Sequence, residues 1–138
     1  MIYLKNGHSI TIGNAGALAS RTHVSYADVS GATLDGSSAI VTSSATTYNV
    51  ATYAAAGTRN VRLVTVSNDG ASAGVFTISH NTGATTAPIG KALLQPGQVL
   101  VYSENGGVQV SSAESSTLAT LTLPDTPSPT VPSDGYGT

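Results

Sequence analysis

The chain has no cysteine and no tryptophan, and only 9% of its 138 residues are charged. Without cysteine there is no disulfide, no iron–sulfur cluster and no thiolate-bound zinc, so stability must come from packing, hydrogen bonds or association with other chains. Five Lys and Arg stand against seven Asp and Glu, a formal net charge of −2, and no basic block exists through which the counterion-release term of nucleic-acid binding could act. Nucleic acid is not expected as a partner. No apolar run approaches the roughly 20 residues of a membrane-crossing helix. The first residues, MIYLKNGHSITIGN, lack the basic segment and long apolar run of a signal peptide, so no membrane partner is expected and synthesis in the cytoplasm is. Aromatic residues are scarce as well, six Tyr and one Phe. Tyr26, Tyr48, Tyr53 and Tyr102 fall inside strand-like stretches where half-buried packing accounts for them, which weakens any reading as a sugar-stacking platform.

Ser, Thr, Gly, Ala and Val take the place of charge. β-Branched side chains lose χ1 freedom in a helix and glycine is entropically costly there, so this mixture favours short strands joined by tight turns. Period-two alternation predicts strands over Ser9–Ile12, Thr22–Val29, Ser38–Thr42, Thr47–Tyr53, Arg59–Asn68, Val75–His80, Gln98–Ser103 and Val108–Ser111. Gly31–Ser37, with its Asp35-Gly36 pair, reads as a loop, NTGATTAPIG as a longer connection, and Asn105-Gly106-Gly107 as a hairpin turn. About eight short strands without an intervening amphipathic helix predict an all-β fold, an antiparallel, jelly-roll-like β-sandwich. Ser112–Thr120 reads equally as a short helix or an extended arm.

No constellation for catalysis is legible. His8, His23 and His80 lie on separate segments without the close spacing that puts two imidazoles on one metal. The carboxylates are dispersed, and Asp35, Asp69 and Asp134 each precede a glycine, which is turn chemistry first. No Gly-x-Ser-x-Gly elbow is present, and GNAGA at 13–17 lacks the Lys-Ser/Thr and the helix of a phosphate loop. The chain is therefore read as non-enzymatic, with no catalytic, cofactor or metal residues.

Residues 1–111 are assigned to the sandwich, 112–123 to a connecting segment and 124–138 to a Pro/Ser-rich C-terminal arm, since PDTPSPTVPSDGYGT holds four of the six prolines. Within the sandwich, TRNVRLVTVSNDG sets Arg59 and Arg62 on a β-branched run. Strict alternation puts Val61, Leu63 and Thr65 on one face and Arg62, Val64 and Val66 on the other, as in a strand covered on both sides. The two arginines then become candidates for ion pairs or carbonyl contacts, within the domain or across a subunit boundary.

The succession SITI, THVSYADVSG, TTYNVA, AAGTRNVRLVTVSND and LLQPGQVLVY, closing on a glycine turn before VQV, resembles a family of small all-β virion proteins of tailed bacteriophages. The likeness covers about residues 9–111 and is most specific over Ala54–Asp69 and Leu93–Tyr102; the C-terminal extension departs from it. What the resemblance implies is a particle component. The leading expectation is a capsid decoration or cement protein on the outer surface of the head, with the major capsid protein and copies of itself, in a trimer or other small symmetric cluster, as partners. A neck, tail or fibre accessory protein that binds a receptor or glycan is the alternative. The candidate subunit or capsid interface comprises Arg59, Arg62, Leu118, Leu121, Leu123, Pro124, Pro127, Pro129, Pro132 and Tyr136.

Overall fold

A computed structural model of the chain describes residues 1–112. The candidates from Leu118 to Tyr136, the connecting segment beyond residue 112 and the C-terminal arm lie outside the described residues.

Ten strands form among those residues: β1 (Ile2–Leu4), β2 (Ser9–Asn14), β3 (Ser20–Ser30), β4 (Thr33–Ser43), β5 (Thr47–Val50), β6 (Thr58–Asn68), β7 (Gly74–Asn81), β8 (Thr86–Leu94), β9 (Val99–Ser103) and β10 (Gly107–Ser111). They make two antiparallel sheets. One is six-stranded, in the order β10-β9-β6-β3-β4, with β1 also paired to β6; the other is four-stranded, β5-β2-β7-β8. Leu4, Val24, Val61, Val64, Val66 and Leu100 from the first sheet meet Ile10, Ile12, Phe76, Ile78 and Leu94 from the second in one sealed core. Each such side chain contributes about 1.5–3 kcal/mol on burial, which is where a chain without disulfides finds its stability. Polar bonds cross the gap as well: the hydroxyl of Tyr48 on β5 lies 2.8 Å from those of Ser20 and Thr22 on β3. The all-β, antiparallel, sandwich-like arrangement expected from composition and alternation is present.

Four expectations need correction. Alternation predicts about eight strands and misses β1 and β8. β1 has three residues, too few for a period to register. β8 contains Pro88 and Gly90, which read as a connection; proline is tolerated because β8 is an edge strand, and Pro88 pairs with Ser79 beside a bulge whose extra residue is Ile89.

Gly31–Ser37 is not a loop. The β3–β4 hairpin turns at Gly31-Ala32, where Gly31 supplies the positive φ of 60° that two-residue hairpin loops require, and Asp35-Gly36 lies within β4. Two turn signals compete here, and the tighter turn keeps β3 and β4 paired over eleven residues each. In the β5 region the strand ends at Val50, before Ala51 at φ 53°, so Tyr53 lies in the connection rather than in the strand.

The assignment of faces in β6 changes too. Against β3, Leu63 faces Ser25 and Val61 faces Tyr26, leaving Arg62 as the extra residue of a β-bulge. Because a one-residue offset reverses side-chain direction, Val61, Val64 and Val66 all face the core, and Leu63 and Thr65 face outward. The bulge falls where the neighbouring edge of β6 changes hands: β9 pairs with Leu63–Ser67 and β1 with Arg59–Val61.

Candidate functional site

Arg59 and Arg62 are three positions apart, and the bulge gives them opposite surroundings. Arg59 is paired with Asp28 in the β3–β6 register and with Leu4 in the β1–β6 register. Its side chain is 14% exposed. Nε donates to Asp28 Oδ1 at 2.7 Å and Nη2 to Asp28 Oδ2 at 2.8 Å, the two-pronged fit of a planar guanidinium to a carboxylate. Nη1 donates to the carbonyl of Thr52 at 3.2 Å. The charge lies 3.7 Å from the ring centre of Tyr26 and 5.1 Å from that of Tyr53, within cation–π range. The hydrogen bonds to Asp28 raise the guanidinium pKa above its ordinary value against the opposing effect of burial, so the group stays cationic. Arg59 thus closes one end of the sandwich and fastens the β5–β6 connection, with its donors engaged inside the domain.

Arg62 is exposed and makes no side-chain hydrogen bond or ion pair among the described residues. It borders a shallow depression of about 310 Å³ on the outer side of the six-stranded sheet, lined also by Ser25, Ala27, Leu34 and Gly36. Nothing stands within 4 Å of where a Cβ on Gly36 would lie, so the floor is open above that glycine.

The depression adjoins the free edge of β4. This strand is exposed along most of its eleven residues, with Leu34 65% and Ile40 68% exposed. Its pairing with β3 places Leu34, Gly36, Ser38 and Ile40 on the outward face, opposite Val29, Ala27, Ser25 and His23. Only one residue of TLDGSSAIVTS, Asp35, is ionisable, and the strand carries no proline, lysine or bulge against β3. Those are the usual devices that blunt a sheet edge, and β4 lacks them. At the far edge of the same sheet Val108 and Val110 are 38% and 47% exposed. Alternation predicts only Ser38–Thr42 of β4 and misses its first half because Gly31–Ser37 resembles a loop; the apolar Leu34 two residues after the true turn is the available signal.

The fold also joins two histidines that sequence spacing kept apart. His8 Nδ1 and His80 Nε2 are 3.1 Å apart, with ring centres at 5.1 Å. Burial, and then the neighbouring His8, lowers the pKa of His80 below its ordinary value. No three metal-ligating side chains cluster among the described residues. GNAGA serves a turn: Asn14 closes it by donating from Nδ2 to the Leu18 carbonyl and accepting from the Leu18 N–H at 3.1 Å. Asp69-Gly70 ends β6, and the buried Asn68 beside it donates from Nδ2 to the carbonyls of Ser72 and Leu94, both at 2.9 Å.

Comparison of the chain with protein-family models, with curated proteins and with solved structures finds no match.

Proposed function

We propose that this chain is a non-enzymatic structural protein of a phage particle, a capsid decoration or cement protein that binds the shell of major capsid protein on the outer surface of the head and stabilises it. The observation that carries this reading is the exposed, nearly uncharged β4 edge with Leu34 and Ile40 beside an open depression. Such a surface is poorly suited to solvent and well suited to burial among neighbouring chains. The resemblance of residues 9–111 to small virion proteins, and a proline-rich terminus suited to reaching across a neighbour, support it. Under this reading the sandwich is jelly-roll-like, copies gather in a trimer or other small symmetric cluster, and residues from Leu118 onward contact an adjacent subunit. Modest contacts then sum over many copies through high effective concentration.

Deleting residues 124–138 tests the arm, with particle occupancy and heat stability as the measurements. Both are expected to fall, and unchanged values reject the arm's role. Copy number by quantitative mass spectrometry tests the location: on the order of hundreds per particle means decoration, about a dozen means neck or tail.

The second reading, a receptor- or glycan-binding module of a neck or tail fibre, draws on the outer face of the four-stranded sheet. Thr47 and Asn49 are exposed there and Thr77 is half-buried, and Asn49 Oδ1 accepts from the buried Thr11 Oγ1 at 2.9 Å. Binding of the purified domain to an immobilised glycan panel, together with low copy number, would favour it.

A further inference from the structure

The geometry points to a specific occupant for the β4 edge: the β4 strand of a second copy, paired antiparallel across a two-fold axis through Ser38. This deepens the assembly reading above, since it names the partner and the register. Four observations lead to it.

β4 ends the six-stranded sheet, and no strand among the described residues pairs with its other side. Its backbone groups on that side are therefore a ready template for another extended chain. Ser38 is the middle of Thr33–Ser43, so an axis there overlaps all eleven residues of both strands.

Directly opposed residues of an antiparallel pair share a face, so an axis through a residue keeps the outer faces of both copies on one side. With the axis at Ser38, Gly36 lies opposite Ile40 of the second copy, and Leu34 lies opposite Thr42 of the second copy. Ile40, 68% exposed in the single chain, then stands at the rim of the depression above Gly36, where a Cβ is missing and the floor is open. The exposed side chain and the vacant surface are matched by one symmetry operation, twice.

The charges agree as well. Asp35 is the only ionisable residue of β4. In this register the two Asp35 residues are separated by roughly 20 Å along the ladder, beyond the screening length of about 8 Å at physiological salt. An axis through Asp35 itself would oppose the two carboxylates directly.

The absence of cysteine makes the test clean. In full-length protein, Ser38→Cys should cross-link to a covalent dimer under mild oxidation, because directly opposed residues meet the Cα separation of about 4.4–6.8 Å that a disulfide needs. Thr42→Cys, roughly 26 Å from its mate in this register, should not. Sedimentation of the unmodified chain should show concentration-dependent dimers, and Ile40→Lys should weaken them by about tenfold or more with the monomer's melting temperature unchanged. A chain lacking residues 113–138 should dimerise equally. A monomer at all concentrations, cross-linking of Thr42→Cys as fast as Ser38→Cys, or loss of dimers on truncation, which would make the C-terminal segment the occupant, each overturns the proposal. The measurements use purified protein, so dimerisation can fail while particle decoration holds, or hold while decoration fails.

Discussion

The guanidinium of Arg59 grips the carboxylate of Asp28 by two hydrogen bonds, 2.7 and 2.8 Å, while the ring centre of Tyr26 lies 3.7 Å away. With side chains 14% and 30% exposed, the pair lies between a solvated surface bridge, worth little, and a fully buried one whose breakage strands a charge. Arg59→Ala is therefore expected to lower stability by about 2 kcal/mol. Arg59→Lys keeps the charge but loses the fork and the flat stack, and about 1 kcal/mol is expected to go with them. Urea unfolding checks both, with a lower midpoint at an unchanged slope. A double-mutant cycle with Asp28→Asn should return a coupling clearly different from zero.

Arg62 offers the contrasting case, an exposed side chain on the extra residue of a bulge. Arg62→Ala removes an exposed group without a partner among the described residues and should change stability by no more than about 0.5 kcal/mol. Deleting Arg62 removes the extra residue, and Val61, Leu63, Val64, Thr65 and Val66 then alternate regularly with the three valines still facing the core. The deletion should therefore leave the domain folded, with a loss of no more than about 2 kcal/mol from the altered strand bend, read by circular dichroism and thermal melting; loss of folding would mean that the bulge itself is required.

Gly57 closes the connection that carries Tyr53 to Arg59. Its φ is 118°, and an added Cβ would collide with the backbone carbonyl oxygen of Val29 and stand 3.0 Å from Tyr53 Oη. Neither obstacle is a flexible side-chain end free to yield, since Val29 belongs to β3 and the Tyr53 hydroxyl donates to the Ala56 carbonyl at 3.1 Å. Gly57→Ala should destabilise the domain by about 2 kcal/mol or more, whereas Gly36→Ala, which meets open space, should stay within about 0.5 kcal/mol. Melting temperatures of the two variants give the comparison directly.

These residues show which parts of the fold the sequence could disclose. Alternation and turn residues are local, and they located β7 and the β9–β10 hairpin well. The bulge at Arg62 depends on the change from β9 to β1 along one edge of β6, a long-range pairing that no local pattern records. The exposed edge stayed hidden because Asp35-Gly36 is as good a turn signal as Gly31-Ala32, and only the pairing of β3 with β4 chooses between them. Arg59 reads in the sequence as a candidate for an ion pair within the domain or across a subunit boundary, but the partner it meets, Asp28, lies 31 residues away on β3, beyond the reach of spacing arguments.

The meeting of His8 and His80 was equally invisible, and it makes stability depend on pH. One nitrogen of each ring shares a contact at 3.1 Å, which suits a neutral pair in which one donates and the other accepts. Burial first, and the proximity of His8 second, hold the His80 pKa below its ordinary 6.5. Between that lowered native value and 6.5 the unfolded chain binds more protons than the folded one, so stability rises with pH through the window. It is lost as pH falls below 6.5, and the loss levels off once His80 protonates in the folded state too. The melting temperature should drop on acidification from about pH 7.5 to 5.5. His80→Gln should flatten that slope by removing the group, whereas His8→Asn should leave part of it, since burial of His80 remains when the neighbouring charge is gone. Equal flattening by both variants would mean that the histidine neighbour, and not burial, dominates the response.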